Sequence, residues 1–558
     1  MVDAINSPFV FSESFSYLLL ILLLFCTFYM ISAFLTQSYP PGPIKLPIIG
    51  NLLQINFEAP YDYVNKCKQK FGKVFTIWMP YPVIVICDPV LIRECLIKYK
   101  DIFSARPNSF VYGIFTGHKK HGDGIILADG EKWHAQRSFA IKTFKEFGVG
   151  SKKLESKILF HTHRLTAQIY KKMGEDCQVE LDLHHLLSWC IGNIIHDLVM
   201  GKYYDFMDPD FIHFKELIDS VLRDFASPKM MLIDRYPWIR HVMPFYTNYK
   251  KNGMRLQKFF LDEIERHESK IGITIEDFKP SNFIDAYLQE MNQSHDEELS
   301  KLTLALNAGD LWAGGMESTV TVLRWAVMYM VQYPHIQTRC HNEIVLVVGE
   351  DEELRSEHRK CLPYTRAALD EILRVVNVLP WGIPHRAIEE VEIGGHFIPK
   401  DAIVFPQIGA VHFNPDFFMD PKKFNPERFL DQNESYKFDK NFEPFGAGPR
   451  RCLGKLFNNS SINIFLGEPL ARMELFLIFA TLMRSFQFSR GSNGPPNFTK
   501  NVGMTATPKD YVPLIRRRNA KKENNNTDYG ADNQMLFYKE MLIANRYRDQ
   551  CHDESYAF

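Results

Sequence analysis

One cysteine stands in a glycine-rich stretch with arginines just before it, and these residue types together could bind a metal. Residues 445–454 read FGAGPRRCLG, with the cysteine at Cys452. A cysteine thiolate can ligate haem iron and push electron density that favours O–O cleavage. Glycines let the backbone aim its N–H groups at the sulfur, and the planar fork of Arg450 suits a haem propionate. The ordinary alternative is a glycine-rich turn around an inert buried cysteine.

A long apolar helix, predicted at 302–336, carries polar groups in its middle. Two successive glycines at 314–315 cost about 1 kcal/mol each relative to alanine inside a helix, so they need a reason. Tight helix packing is one reason, and close approach of a flat ligand is the other. An acid and hydroxyls follow at Glu317, Ser318 and Thr319. An acid next to a hydroxyl could relay protons.

Two further helical pairs have spacings that place both side chains on one face. Trp133 and Arg137 are separated by four positions, so an indole N–H and a guanidinium can hold one anion. A cation–π pair at the surface is the commoner explanation of this spacing. Glu371 and Arg374 are separated by three positions and can form an ion pair.

Composition and charge describe a chain with ample material for a core and no sign of nucleic-acid binding. The 558 residues are 46% hydrophobic and 13% aromatic, and the net charge is −1. The ten cysteines are scattered without a C-x-x-C pair. This scatter argues against a zinc site or a disulfide scaffold and fits a reducing compartment.

An uncharged apolar segment near the N-terminus predicts a membrane anchor. The segment from Phe15 to Leu35 contains no charged residue and is long enough to cross the hydrocarbon core as one helix. A cleaved signal peptide is the alternative, but the apolar run is longer than a usual h-region and no basic residue precedes it. The first lysine, Lys45, follows the segment, which places the body of the chain on the cytosolic side.

The order of these patterns along the chain resembles that of the cytochromes P-450, the haem-thiolate monooxygenases. The resemblance rests on W-x-x-x-R at 133–137, A-G-G-x-E-S-T at 313–319, E-x-x-R at 371–374, P-E-R-F at 426–429 and F-G-x-G-x-R-x-C-x-G at 445–454. The order P-P-G-P-x-x-x-P-x-x-G-N at 40–51 resembles the hinge of the microsomal members.

The resemblance implies a mainly α fold with small β-sheets, the cytochrome P-450 fold. Haem b is expected between the long central helix and the helix after the cysteine loop. The implied roles are iron ligation by Cys452, haem binding by Trp133, Arg137, His385, Phe445 and Arg450, proton handling by Glu317, Ser318 and Thr319, and a buried structural network of Glu371, Arg374 and Arg428. Ser318 stands where the family has threonine. Serine lacks the methyl that restricts the rotamer, so we expect leakier coupling of electrons to product.

The resemblance also implies the reaction and its partners. We expect a monooxygenase of the endoplasmic reticulum membrane, with one N-terminal anchor and a cytosolic catalytic domain in contact with membrane lipid. Electrons would come from an NADPH-dependent flavoprotein reductase. One oxygen atom from dioxygen would enter a small apolar substrate such as a xenobiotic, a fatty acid or a steroid-like molecule. A haem-thiolate isomerase or dehydratase would not need an acid–hydroxyl pair, so Glu317 argues against that reaction class.

The sequence departs from the family directly after the cysteine loop. Removing residues 455–467 restores the family order C-x-G-E-x-L-A-R-M-E-L without a gap. Leu-Gly occurs at both ends of the segment, so its limits can shift by up to two residues. We interpret the segment as a retained intron, because the family buries this junction against the haem. A surface loop is the alternative, which loop-closure entropy permits. If the segment disturbs the haem, the alternative function is a catalytically impaired haem-binding product.

These expectations divide the chain into consecutive parts. The predicted parts are an N-terminal stub at 1–14, a transmembrane anchor at 15–36, a proline-rich hinge at 37–51, a monooxygenase domain at 52–515 and a polar tail, expected to be disordered, at 516–558.

Overall fold

Helices make up most of the structure. The computed structural model describes residues 8–35, 38–57, 59–116, 122–148, 152–271, 278–294, 298–453, 467–501 and 503–518. The α-helices in these ranges are α1 Pro8–Leu35, α2 Pro60–Phe71, α3 Pro89–Arg93, α4 Lys100–Phe103, α5 Phe110–Thr116, α6 Gly124–Leu127, α7 Gly130–Glu146, α8 Lys152–Met173, α9 His184–Met200, α10 Pro209–Phe225, α11 Pro228–Arg235, α12 Phe245–Ile271, α13 Phe283–Ser294, α14 Lys301–Gln332, α15 Pro334–Val348, α16 Pro363–Val376, α17 Ile408–His412 and α18 Gly467–Ser485.

The strands are short and form small sheets, as the sequence predicted. They are β1 Val74–Trp78, β2 Pro82–Ile86, β3 Gln178–Glu180, β4 His385–Arg386, β5 Val391–Ile393, β6 His396–Ile398, β7 Ile403–Pro406, β8 Phe486–Ser489 and β9 Leu514–Arg517. Among the described residues the strand orders are β1-β2-β7-β4, β3-β9-β8 and β5-β6. Strand β9 extends to Arg517, past the predicted domain end at 515, because Arg516 pairs with Gln178 of β3.

The long helix α14 carries the central polar groups. It begins where the Ser300 side chain accepts a hydrogen bond from the Thr303 N–H, and it ends before Pro334. Two buried tryptophans fix its rotation. Trp312 Nε1 donates to His196 at 2.7 Å, and Trp325 Nε1 donates to the Ala506 carbonyl at 2.6 Å. Helices α9, α12, α16 and α18 pack against it.

The long loop expected at 104–129 contains two short helices, α5 and α6. Helix α6 forms because side-chain acids satisfy its first N–H groups. Asp123 accepts from the Gly124 N–H at 2.9 Å, and Asp310 of α14 accepts from the N–H groups of Ile125 and Ile126 at 2.9 Å each. Asp310 is far away in the sequence, so local pattern does not reveal this helix.

The N-terminal helix α1 covers the apolar segment from which the anchor was predicted. Its apolar side chains from Phe15 to Leu24 are more than half exposed. A search of the described residues finds no helix that combines the length and the hydropathy needed to cross a membrane. The predicted tail from 519 onward and the segment 454–466 lie outside the described residues.

Candidate active site around Cys452

The glycines of the cysteine loop are required by close approach and by positive φ. Gly446 and Gly448 have φ of 83° and 71°. A Cβ atom on Gly448 would lie 2.1 Å from the Leu96 carbonyl oxygen. The loop closes where the Cys452 N–H donates to the Phe445 carbonyl at 3.0 Å. The loop is therefore held by its backbone against the chain at Leu96.

The Cys452 side chain is accessible although it lies deep in the protein. The residue has exposed surface. The protein that surrounds the thiol nevertheless raises its pKa to about 11 by burial, and the Arg137 charge acts to lower that pKa. An accessible thiol that is surrounded by protein faces an internal space. Only a strongly cationic partner, such as a metal ion, would make this sulfur a thiolate at neutral pH.

Three arginines gather beside the loop, and we call them the arginine cluster: Arg106 and Arg137, which are buried, and Arg450, which is partly buried. Burial, with repulsion from the other two cations, lowers the pKa of Arg450 to about 7. Burial lowers the pKa of Arg106 to about 9 and that of Arg137 to about 10. Arginine normally stays protonated in proteins. Such a crowd of cations therefore calls for an anionic ligand.

Trp133 lies beside two members of the arginine cluster. The Arg450 guanidinium carbon lies 3.8 Å from the ring centroid, and that of Arg137 lies 5.7 Å away. The Trp133 Nε1 atom is buried and has no hydrogen-bond partner among the described residues. The Arg137 guanidinium also donates to the Arg451 carbonyl at 2.7 Å. A buried indole donor beside these cations fits the propionate groups of a haem.

His385 lies near the arginine cluster, but its ring is held in the neutral form. Its Nδ1 lies 2.7 Å from the Phe103 carbonyl and must donate to it, because a carbonyl only accepts. Burial and the Arg106 charge hold the pKa of His385 well below its ordinary value. The neutral ring presents Nε2 as an acceptor, so His385 would donate to a propionate only after gaining a proton.

The sequence did not identify Arg106 as a candidate site residue. Its guanidinium donates to the Ile126 carbonyl at 3.2 Å and to the Pro384 carbonyl at 2.6 Å. Both partners are distant in the chain. The only sequence signal is a lone arginine in the predicted loop 104–129, and this signal does not identify a ligand.

The two glycines of α14 have different structural reasons. A Cβ atom on Gly315 would lie 2.8 Å from the Ile195 side chain of α9, so this glycine permits tight helix packing. Gly314 is exposed, and a Cβ atom there would meet nothing within 4 Å. It lies at the middle of the central helix and borders open space. Tight packing therefore explains Gly315, whereas the close approach of a flat ligand at Gly314 stays a prediction.

The acid and the hydroxyls of α14 point to different partners. Glu317 lies 3.6 Å from the Lys215 ammonium of α10 and 3.5 Å from the Thr505 hydroxyl. Burial raises the pKa of Glu317, and Lys215 counteracts this. The Ser318 hydroxyl donates to the Gly314 carbonyl at 2.8 Å. It thus lies beside the open glycine.

The Thr319 hydroxyl is directed to a second buried acid that the sequence analysis did not single out. It donates to the Gly315 carbonyl at 2.9 Å and lies 3.4 Å from Glu474 of α18. Burial raises the pKa of Glu474 to about 8. Glu474 stands in the quoted A-R-M-E-L pattern, but its contact with α14 depends on the packing of two helices.

The network predicted behind the cysteine loop is assembled. Arg374 donates to both carboxylate oxygens of Glu371 at 2.7 and 2.8 Å, and Arg428 donates to Glu371 at 3.1 Å. Arg374 also donates to the carbonyls of His412 and Pro421 at 2.8 and 2.9 Å. Glu371 and Arg374 have no exposed surface. The pair fastens α16 to the segment that leads to the loop.

The fold and the site define a haem-thiolate protein, and comparisons with known proteins give the family. The cytochrome P450 family model matches residues 40–514. The chain is 35% identical over 483 residues to the "3-ketosteroid oxygenase" of Caenorhabditis elegans, covering 86% of this chain and 80% of the relative. It is 32% identical over 456 residues to cytochrome P450 2B4 of Oryctolagus cuniculus (81% and 88%). It is 31% identical over 492 residues to cytochrome P450 2J2 of Homo sapiens (85% and 90%).

The chain therefore belongs to the cytochrome P450 family. Members are oxidoreductases of the monooxygenase type that use haem with a cysteine thiolate as iron ligand. The relatives are microsomal in type. The arginine cluster, the unpaired Trp133 donor and the accessible Cys452 thiol fit that haem.

Proposed function

We propose that this protein is a membrane-anchored monooxygenase that inserts one oxygen atom from dioxygen into a small apolar substrate. Electrons come from an NADPH-dependent flavoprotein reductase at the endoplasmic reticulum membrane. The observation that carries the proposal is the accessible Cys452 thiol beside the arginine cluster. When bound, the haem supplies the iron at which dioxygen is activated. The residues of the chain bind the haem, orient it and move protons.

Binding of the haem falls to two groups of residues. Cys452 would hold the iron, while Trp133, Arg137 and Arg450 would hold the propionates, together with Arg106. Phe445 would lie beside the sulfur, since its carbonyl accepts from the Cys452 N–H. His385 would donate to a propionate once the anion raises its pKa. The Glu371 network would keep the loop in place during turnover.

Proton handling has two candidate acids on either side of α14. Glu317 is held toward α10 by Lys215, whereas Glu474 contacts the Thr319 hydroxyl. The Ser318 hydroxyl lies at the open side of α14. A proton held at Glu317 would reach the open space through the Ser318 hydroxyl and water. A proton at Glu474 would move through Thr319.

A steroid-like substrate is the first candidate to test. The relative that matches this chain at 35% identity is named a 3-ketosteroid oxygenase. Titration of the haem-loaded protein with 3-ketosteroids, fatty acids and planar xenobiotics, monitored by the Soret shift, will rank these classes. Saturable shifts with fatty acids alone would remove the steroid proposal.

An apolar surface patch supports membrane contact by the catalytic domain. The patch comprises Ile44 and Ile48 of the hinge, Leu53 just after it, and Trp238 and Val242 between α11 and α12, all at least 63% exposed. A hydrogen bond of 3.4 Å from the Tyr236 hydroxyl to the Ile48 carbonyl joins the two segments. Exposed apolar patches of this kind mark interaction sites. The uncharged apolar segment from Phe15 to Leu35 would add the anchor that the sequence predicts.

The membrane proposal is tested with a chain that lacks residues 1–37. We expect this chain to float with anionic vesicles through the patch and to lose flotation when Trp238 and Val242 are both changed to glutamate. A matched control changes Phe438, which is exposed elsewhere. Equal flotation of all variants would remove the patch from the proposal.

The catalytic proposal is tested by the reduced carbon-monoxide difference spectrum of the full chain. A thiolate-type Soret band that is lost in Cys452→Ser, followed by NADPH-dependent product formation with the reductase, is the expected result. A thiolate-type band without product over a broad substrate panel would favour the impaired haem-binding product.

A further inference from the structure

The chain ends that flank residues 454–466 lie next to each other. The Gly467 N–H donates to the Leu453 carbonyl oxygen. A Cβ atom on Gly467 would lie 2.9 Å from Cys452 Sγ and 3.1 Å from the Leu453 backbone nitrogen. Real Cβ atoms do not approach sulfur so closely without displacing it. Gly467 therefore lies directly behind the ligand sulfur, and a side chain there would displace the sulfur and press on the Leu453 backbone.

Ion pairs across the junction hold the returning chain in register. Arg451, just before the ligand, pairs with Glu468, just after Gly467. Glu468 accepts from Arg472 at 2.9 Å, and Arg472 donates to Asp370 of α16 at 2.7 Å. Asp370 directly precedes Glu371. The start of α18 is thus tied both to the cysteine loop and to the helix that carries the structural network.

These contacts change the limits of the predicted insert. The sequence pattern placed the insert at 455–467 and left its limits free to shift by up to two residues. Gly467 instead begins α18. The two glycines follow the same residue type, since both Leu453-Gly454 and Leu466-Gly467 are present. The sequence therefore offers two glycines for one position.

We propose that Gly467 completes the cysteine loop in this chain, and that the haem site forms with residues 454–466 present. The inference rests on the haem-thiolate site proposed above. Leu453 and Gly467 meet within one hydrogen bond, so Cys452 and α18 are in contact in the chain that contains residues 454–466. Loop-closure entropy rises slowly with length and permits this. The residues that hold Cys452 are then complete without any contribution from 454–466.

The test compares two glycine-to-alanine variants in the full chain. We expect Gly467→Ala to reduce the thiolate-type Soret band, per mole of protein, at least tenfold. We expect Gly454→Ala, the matched control, to keep the band within twofold of the parent. A band that is lost in Gly454→Ala, or retained in Gly467→Ala, overturns the proposal.

A measurement on the haem-free protein distinguishes the proposed contact from a general folding defect. The added methyl of Gly467→Ala collides with the Cys452 sulfur, so its cost to the melting temperature of the haem-free protein should shrink when Cys452 is alanine. This double-mutant cycle isolates the contact between the two positions. Equal melting losses in both backgrounds would contradict the proposed contact.

A chain that lacks 454–466 separates this inference from the proposed function. Thiolate-type bands of equal size in the full and shortened chains support the inference that the haem site forms with residues 454–466 present. A band in the shortened chain alone overturns the inference and leaves the proposed function standing. The absence of a band in both chains removes the haem-thiolate function itself, and the inference with it.

Discussion

Asp310 should make the protein less stable as pH rises toward neutrality, and Asp310→Asn should remove that dependence. The carboxyl accepts from the N–H groups of Ile125 and Ile126 at 2.9 Å and from the Tyr112 hydroxyl at 3.3 Å. Burial, opposed by these hydrogen bonds, raises its pKa from 3.8 to about 7. The folded protein therefore binds this proton more tightly than the unfolded chain does.

The sign and size follow from proton linkage. A carboxyl with a raised pKa stabilises the fold fully below about pH 4, and this stabilisation is lost as pH rises through about 7. A shift of about three units corresponds to about 4 kcal/mol at most, since one unit is worth about 1.4 kcal/mol. Between pH 5 and pH 8 the loss should approach about 3 kcal/mol.

Asparagine keeps the shape of the side chain and removes the charge. Its amide oxygen can accept from both N–H groups of α6, and its NH₂ can donate to the Tyr112 hydroxyl oxygen. Urea unfolding of the parent and Asp310→Asn at pH 5 and pH 8 measures the effect. The variant should gain stability relative to the parent at pH 8. Asp262→Asn, at an exposed i,i+4 pair with Lys258, is the matched control.

Two results would refute this reasoning. One is an identical pH dependence of unfolding in the parent and Asp310→Asn. The other is a variant that is less stable than the parent at pH 8, which would mean that α6 needs the charge rather than the oxygen atoms.

Three further changes have defined outcomes. Trp133→Phe keeps the ring and loses a donor worth about 1–2 kcal/mol, so haem transfer to an acceptor protein should accelerate about tenfold, whereas exposed Trp238→Phe should leave the rate unchanged. Glu371→Gln leaves buried guanidinium groups unpaired and should cost about 3–5 kcal/mol in urea unfolding; Glu427→Gln, at a side chain that is 63% exposed, should cost almost nothing. Ser318→Thr restores the restricted rotamer and should lower peroxide released per product; an unchanged ratio would count against Ser318 as a source of leakage.

The predictable parts of the site are those whose residues lie together in one short stretch of sequence. Cys452 and its glycines form one short stretch, and the loop geometry follows from their types. The Glu371–Arg374 pair is set by helical spacing, and its third member, Arg428, came from the order of motifs. The short strands and the long α14 followed from periodicity and from the family resemblance.

The parts that sequence did not reveal depend on contacts between distant segments. Arg106 donates to carbonyls near residues 126 and 384, so nothing around it in the sequence identifies a role. Glu474 acquires its raised pKa only because α18 buries it against α14. Helix α6 exists because Asp310 satisfies its first N–H groups. Each case is a polar group whose partner lies more than a hundred residues away or is set by helix packing.

The junction after Cys452 is another place where sequence pattern alone does not decide which residue occupies a position. Sequence pattern placed the insert at 455–467 but left its limits free to shift, because Leu-Gly occurs at both ends. Packing distinguishes the two glycines, since a Cβ atom on Gly467 would lie 2.9 Å from the Cys452 sulfur. Glu468 and Arg472 follow Gly467 into α18 in ion-paired register. If Gly467 completes the haem loop as proposed, packing around the sulfur specifies the loop, and the sequence distance between Leu453 and Gly467 does not.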